Sequence, residues 1–282
     1  MLQISELYIY PVKSLPGIAV TKATVTERGF EYDRRWMLID ENNRFISQRE
    51  SAEMTQLEVA ILDVGLKVTH RLNKDSIIIP FCKPGLTAKN AVVSIWDDIC
   101  TAEYVSQEAD KWFTDILGIK CRLVYMPDSC KRVVDQKYAP EDAVTSFSDA
   151  YPYLIIGQSS LDDLNSRLII SLPMNRFRPN IVFTGGEPFE EDKMGQIVIN
   201  GINFYGLKLC ARCNIIAIDQ LTGIQEKEPS KTLASYRFKN NKILFGQNLI
   251  AKGNGVVSVG DMLNLISVNT EERFFIEEKN VV

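Results

Sequence analysis

The sequence predicts a mostly β fold with a few helices (α+β), built from two β-rich units in series. Three observations predict it. Short alternating or β-branched runs recur along the 282 residues, each closed by Gly, Pro, Asn or Asp. Helical spacing of apolar residues is confined to a few stretches. Hydrophobic residues make up 45% and charged residues 24%, an ordinary soluble composition, and a chain this long buries a core without disulfide staples.

In the N-terminal unit, "LQISELYIY" alternates and ends at Pro11. "IAVTKATVTE" is β-branched and closes at "RGFEYD". "RRWMLID", the turn "ENN" and "RFISQ" read as a hairpin, and "LEVAILDVGLKVTH" and "SIIIP" continue the strands. This pattern suits a small β-barrel or sandwich. The first strong helix is "SQEADKWFTDILG", with Ala109, Trp112, Phe113, Ile116 and Leu117 on one face and Gly118 as the stop. "CRLVYM" is a strand, and "APEDAVTSFSDAYP" is a long run of turn formers over the surface or along a pocket. The element pattern puts the boundary between the units roughly between residues 104 and 140.

The C-terminal unit starts with a buried strand, "YLIIG", and a helix, "QSSLDDLNSRL", for which Ser159 is the expected cap. Strands dominate after that: "RPNIVFTGG", "QIVING", "INFYGLKLC", "CNIIAID", "KILFGQNLI" and "VVSVGDMLNLI". Asn200-Gly201 marks a hairpin turn. A short helix is expected around "EPSKTLASY", and the tail "EERFFIEEKNVV" is a last strand or helix at the edge, or disordered in part.

Charge and cysteine content narrow the function. A formal net charge of −4 offers no basic field for nucleic acid or an anionic membrane. No basic segment followed by an apolar run opens the chain, and no stretch approaches ~18 consecutive apolar residues. Cysteines at 82, 100, 121, 130, 210 and 213 have no disulfide-framework spacing, so reduced thiols in the cytoplasm are expected. The single histidine, His70, reads as an exposed strand or turn residue. Zinc and non-haem iron sites draw on imidazole, so a histidine-based metal cluster is close to excluded.

Four motifs could carry chemistry. Cys210 and Cys213 form a C-x-x-C frame in "LCARCNII". A structural zinc site needs a second pair, and a dithiol site needs a helix start after the frame, where an apolar β-branched strand is expected instead. Two buried strand cysteines remain an equally good reading. In "MNRFRPNIVF", Arg176 and Arg178 share a face if extended and could grip an anion, or pair with nearby carboxylates. Lys13 and Ser14 sit in the rigid loop "YPVKSLPG", an anion-binding corner or an ordinary turn. Arg34 and Arg35 in "YDRRWMLID" should point to opposite faces of a strand, with Arg49 a further basic residue nearby. Taken together, basic residues at turns and strand ends of an acidic protein, plus one cysteine pair, suit a bound anionic, phosphate-bearing cofactor.

The order of these motifs resembles the MOSC family. "YPVKSLPG", "RGFEYDRRWMLID" and "ISQRE" resemble the β-barrel domain that precedes MOSC domains. "SDAYPYLIIGQSSLDDLN", "NRFRPNIVFTGGEPFEED", "CARCNIIAID", "TLASYR", "LFGQNL" and "VSVGDML" resemble the MOSC domain itself, in order. The resemblance is strongest to the branch holding the mitochondrial amidoxime-reducing component and its bacterial counterparts. It implies an N-terminal MOSC β-barrel domain over 1–120, a β-barrel-like MOSC domain over 121–268 and a C-terminal tail over 269–282.

The resemblance also implies a molybdenum cofactor, a pterin whose dithiolene sulfurs hold the metal and which ends in a phosphate. By position, Cys213 would be the protein ligand to molybdenum, and Cys210 falls where no ligand is needed. Lys13, Ser14 and Arg34 would hold the phosphate end. Arg178 and Asn180 would hydrogen-bond the pterin or its tail. Asp149, Ala150 and Tyr151 would contact the pterin, partly through backbone, and Arg212 would contribute beside the ligand. The implied activity is reduction of N-hydroxylated compounds, amidoximes and hydroxylated base analogues, to amidines or amines. No ferredoxin-like cysteine run follows Cys213 and no N-terminal membrane anchor precedes the first strand. The expected electron source is therefore a separate ferredoxin-like or haem protein with its own reductase. The alternative is a sulfur carrier or cofactor-binding protein in cofactor sulfuration or handling.

Overall fold

The computed structural model describes residues 1–81, 89–140 and 142–276. Cys82 and the end of the tail, 277–282, lie outside them. Seven strands close into a barrel. In order around it they are Tyr153–Gly157, Ile181–Thr184, Leu2–Ile9, Met262–Val268, Met194–Ile199, Ile202–Ala211 and Lys242–Lys252, which pairs back to Tyr153–Gly157. All pairings are antiparallel except Tyr153–Gly157 with Ile181–Thr184, whose parallel crossover carries the helix Gln158–Ser166. The first strand of the chain is thus a stave in a barrel otherwise built after residue 150. Inward side chains such as Ile4, Leu7, Ile155, Ile181, Phe204 and Leu249 fill the interior. Each fully buried Ile or Leu contributes about 1.5–3 kcal/mol by leaving water.

The N-terminal region packs a four-stranded sheet (Trp36–Ile39, Arg122–Tyr125, Asp98–Tyr104, Asn90–Ile95) and a meander (Leu57–Leu62, Gly65–His70, Ser76–Pro80) around a second core. The helix Gln107–Leu117 covers that core with Ala109, Phe113 and Leu117. Ser106 caps it by accepting from the Ala109 N–H at 3.0 Å, and Gly118 ends it in the left-handed region at φ 66°. Asn200 and Gly201 take φ 46° and 77°, the geometry an Asn-Gly hairpin turn requires.

Five local expectations are corrected. "CNIIAID" is not a strand: Asn214–Ala217 form one 3₁₀ turn, since buried Ile216 and Ala217 pack without a strand partner. Arg34 lies off the strand in a turn at φ 51°, so it does not alternate with Arg35. Arg176 and Arg178 do not share an extended face, because Met174–Phe177 is a 3₁₀ turn ending at Arg178 with φ 55°. Gly157, not Ser159, precedes the helix Gln158–Ser166, and the Ser159 hydroxyl donates instead to Gly186 O at 2.5 Å. His70 is buried, because it shares the inward face of its strand with Leu66 and Val68. Its Nδ1 accepts from Asn73 N–H and its Nε2 meets Glu53 Oε1 at 2.7 Å, which assigns the proton to Nε2.

Candidate active site

A cleft of about 200 Å³ brings together residues from six separate stretches of sequence. Its walls include all ten residues that the resemblance assigns to the cofactor: Lys13, Ser14, Arg34, Asp149, Ala150, Tyr151, Arg178, Asn180, Arg212 and Cys213; Arg35, Arg49 and Arg176 do not line it. The backbone is strained where it turns toward the cleft. Ser14, Arg34 and Arg178 take φ of 69°, 51° and 55°, although none is glycine. Non-glycine residues there cost about 1–3 kcal/mol each, and such strain gathers at functional sites.

Tyr10 organises the cationic wall. Its ring lies 4.4 Å from the Arg34 guanidinium and 4.4 Å from that of Arg178, and its hydroxyl donates to Pro179 O at 3.0 Å. Arg34 Nη1 donates to the buried Asp33 carboxylate at 2.6 Å and to Asn180 Oδ1 at 3.3 Å. Arg178 donates to Leu15 O at 2.8 Å. Burial lowers the Arg178 pKa to about 10, helped by repulsion from Arg34 and opposed by Tyr10. Asn180 is committed to the protein: Oδ1 also accepts from Leu154 N–H at 3.2 Å, and Nδ2 donates to Tyr8 O at 3.2 Å.

Lys13 is buried and donates to Phe147 O at 2.8 Å and Asp149 Oδ1 at 2.6 Å. Burial brings its pKa down to about 8, against the pull of Asp149. For Asp149, desolvation acts upward, but Lys13, Arg34 and Arg49 outweigh it and hold the carboxyl far below the usual range. Arg132 clasps the same loop through Ser146 O, Ser148 O and Asp149 O, with Asp98 as its counterion. Ala150 is exposed at the rim, and Tyr151 is buried with its hydroxyl lacking a protein partner.

The two cysteines of the C-x-x-C frame have different neighbours. Cys210 Sγ accepts from Arg212 Nη1 at 3.1 Å and packs against apolar core residues. Cys213 Sγ accepts from Arg49 Nη1 at 3.5 Å. Arg212 also donates to Phe177 O at 2.6 Å, while its Nε is buried without a partner. Six cationic side chains (Lys13, Arg34, Arg178, Lys208, Arg212, Lys242) line the cleft against one carboxylate, Asp149. In a protein of net charge −4 this surplus marks an anion site.

Residues 1–120 match the MOSC N-terminal beta barrel domain and residues 142–264 match the MOSC domain. Mitochondrial amidoxime-reducing component 1 of Mus musculus is 30% identical over 284 residues, which cover 93% of this chain and 82% of that protein. The chain belongs to the MOSC-domain family. Mitochondrial amidoxime reducing component 2 of Homo sapiens is 31% identical over 83% of this chain and 72% of that one. Molybdenum cofactor sulfurase of Arabidopsis thaliana is 30% identical over 86% of this chain, which spans 32% of that longer protein.

For this MOSC-family chain, sequence reasoning left out several cleft residues. In the sequence Arg49 is only a basic neighbour of Arg34 and Arg35, yet it reaches Cys213 from 164 residues away. Trp96 carried no signal, and Asp33 only that of an acidic residue beside two arginines. Arg49, Trp96 and Asp33 touch lining residues from outside the lining, whereas Ser148, Lys208, Lys242 and Asn248 line the cleft themselves. The last three come from long barrel strands or their ends, where alternation alone does not say which outward face meets a ligand.

Proposed function

We propose that this protein is a molybdenum-cofactor-dependent oxidoreductase that reduces N-hydroxylated compounds, with electrons from a separate donor protein. The observation that carries this reading is a soft sulfur donor, Cys213, in a cleft with a surplus of cations. A pterin-dithiolene molybdenum group with a terminal phosphate needs both. Two residues of the cleft wall, Arg212 and Tyr151, each carry a buried polar atom without a protein partner, Nε and Oη, which leaves hydrogen-bonding capacity beside the cleft for a heterocycle. The names of the relatives support the same class of chemistry.

In this proposal Cys213 ligates molybdenum. Lys13, Ser14 and Arg34 hold the phosphate, Arg178 and Arg212 hold the pterin and its tail, and Asp149, Ala150 and Tyr151 flank it. Asn180 acts by fixing Arg34. The cofactor, when bound, supplies two-electron removal of oxygen from an N–O bond. The chain's own contribution is orientation and charge. Arg34 and Arg178 are held on the Tyr10 ring, so they meet an anion with little loss of side-chain entropy. Lys13 carries its charge below about pH 8. Leu154, Phe177, Leu209 and Ile215 give the cleft apolar surface that strengthens these attractions. We place the protein in the cytoplasm, where its thiols stay reduced.

The test is elemental analysis and benzamidoxime reduction with a chemical reductant, on protein from a host that makes the cofactor. Wild type should hold about one molybdenum per chain, as a single-site cofactor enzyme does. Cys213→Ser should lose activity and Cys210→Ser should keep it. Equal loss in both, with zinc bound instead, refutes the assignment. The similarity to a molybdenum cofactor sulfurase supports one rival, a cysteine that carries sulfur to the cofactor. Persulfide found on Cys213 by mass spectrometry, in protein inactive toward benzamidoxime, would favour that rival.

A further inference from the structure

Cys213 is met by an arginine from the far end of the sequence, and that arginine is held in place by an unusual residue. Arg49 Nη1 donates to Cys213 Sγ at 3.5 Å. Its guanidinium lies 4.6 Å from the centre of the Trp96 ring and 5.8 Å from that of Phe45. The Phe45 and Trp96 rings meet edge to face at 5.1 Å. Trp96 Nε1 donates to Asp149 Oδ1, 3.4 Å away, and Asp149 lines the cleft.

The position of Trp96 is costly on its own terms. It starts the two-residue tip of the hairpin joining Asn90–Ile95 to Asp98–Tyr104, where Ile95 pairs with Asp98. Its φ is 55°, a conformation such tips normally give to Asn, Asp or Gly, and half of the residue (51%) faces solvent. A bulky residue there costs about 1–2 kcal/mol, and the exposed ring returns little of it by burial. Its ring and hydrogen-bond contacts are with Arg49, Phe45 and Asp149; Asp149 lines the cleft, and Arg49 reaches Cys213, which lines it too. The strain therefore serves the site, not the core.

We propose that Arg49, held over the Phe45–Trp96 pair, is a positioning residue for the Cys213 sulfur. It fixes the sulfur toward the cleft and withdraws electron density from it. This rests on the cofactor reading above. A hydrogen bond to a ligating sulfur weakens its donation and stabilises the reduced metal, so it raises the metal's reduction potential. Arginine suits the role better than lysine because its planar group stacks on the ring and donates from its edge at the same time. The N-terminal region thereby contributes directly to a metal ligand supplied by the C-terminal one.

The experiment compares wild type, Arg49→Lys, Arg49→Met, Trp96→Phe and Trp96→Ala, all from a host that makes the cofactor. Three quantities are read: molybdenum per chain, the metal's midpoint potential followed by electron paramagnetic resonance, and the sulfur-to-metal absorption band. In Arg49→Met the potential should fall, so that the reduced-to-oxidised ratio at the wild-type midpoint drops about tenfold, the factor one hydrogen bond to a charged group supplies. The absorption band should shift with it. Arg49→Lys should recover part of the shift, Trp96→Phe should behave as wild type, and Trp96→Ala should move in the direction of Arg49→Met. Arg49→Met with full molybdenum and unchanged potential and spectrum overturns the inference while leaving the cofactor reading intact. If Arg49→Met fails to retain metal, unchanged potentials in Arg49→Lys and Trp96→Ala overturn it equally. Wild type without molybdenum overturns the cofactor reading and this inference with it.

Discussion

Replacing Asp33 with Asn should destabilise the protein and, at the same time, make its stability more responsive to phosphate. Asp33 is fully buried; Oδ1 accepts from the Tyr10 N–H at 2.8 Å and Oδ2 from Arg34 Nη1 at 2.6 Å. Asparagine keeps the shape and the first bond, but turns an N–H₂ toward a guanidinium that can only donate. At 2.6 Å and an effective dielectric constant near 20, the lost attraction is about 6 kcal/mol before solvation is counted. Arg34 is 13% exposed at the cleft, so water recovers part of this. The net loss should sit at the low end for a broken buried pair, about 3 kcal/mol. For a chain of this size that lowers the melting temperature by roughly 6–12 °C. The second effect has the opposite sign. With Asp33 neutralised, Arg34 and Arg178 face the cleft with one more uncompensated charge, so an anion should bind more tightly. Calorimetric melting at pH 7, with and without inorganic phosphate, reads both effects. A variant melting within about 1 °C of wild type, at most about a sixth of the expected shift, would refute the buried-pair argument. Equal phosphate stabilisation of both proteins would refute the placement of Asp33 as counterion to the anion site.

Other perturbations test other parts of the reasoning. Burial, then repulsion from Asp192, pushes the fully buried Glu191 from its ordinary 4.5 up to about 8. The folded state thus binds a proton that the unfolded state releases. The stability this contributes is present below pH 4.5 and lost as pH rises through about 8. Glu191→Gln should flatten that decline in urea midpoints and be the more stable protein at pH 8.5; parallel curves would contradict the assignment. Because burial puts the Lys13 pKa near 8, phosphate affinity measured by calorimetry should step down as pH passes that value. Lys13→Met should remove the step. A Cβ on Gly206 would lie 2.0 Å from Met194 O and 2.5 Å from the Gln247 side chain. Gly206→Ala should therefore cost more than about 1–3 kcal/mol, the usual price of overpacking, read as a lower urea midpoint with unchanged slope.

Local pattern revealed the strands because their signal is local. Alternation in Leu2–Ile9 and the Asn200-Gly201 turn each need only a few neighbours to be read. Barrel closure needs Lys242–Lys252 to pair with Tyr153–Gly157 and the first strand to sit beside Ile181–Thr184, and no short window contains that information. Function shows the same division. The ten cleft residues could be named from motif order, yet the arguments made from strand geometry failed at the points where they mattered. Arg34 and Arg178 point into the cleft because their backbones leave the extended region, and Cys213 stands before a 3₁₀ turn where β-branched residues suggested a strand. Propensity reports what a segment does when packing is indifferent to it, whereas a site is where packing overrides it. Arg49 and Trp96 follow the same logic. A basic residue in "SQRE" and a tryptophan at a hairpin tip look ordinary in sequence. Folding places the guanidinium against Cys213 and the ring beneath the guanidinium, and the left-handed backbone at Trp96 marks the place where sequence preference yields to the site.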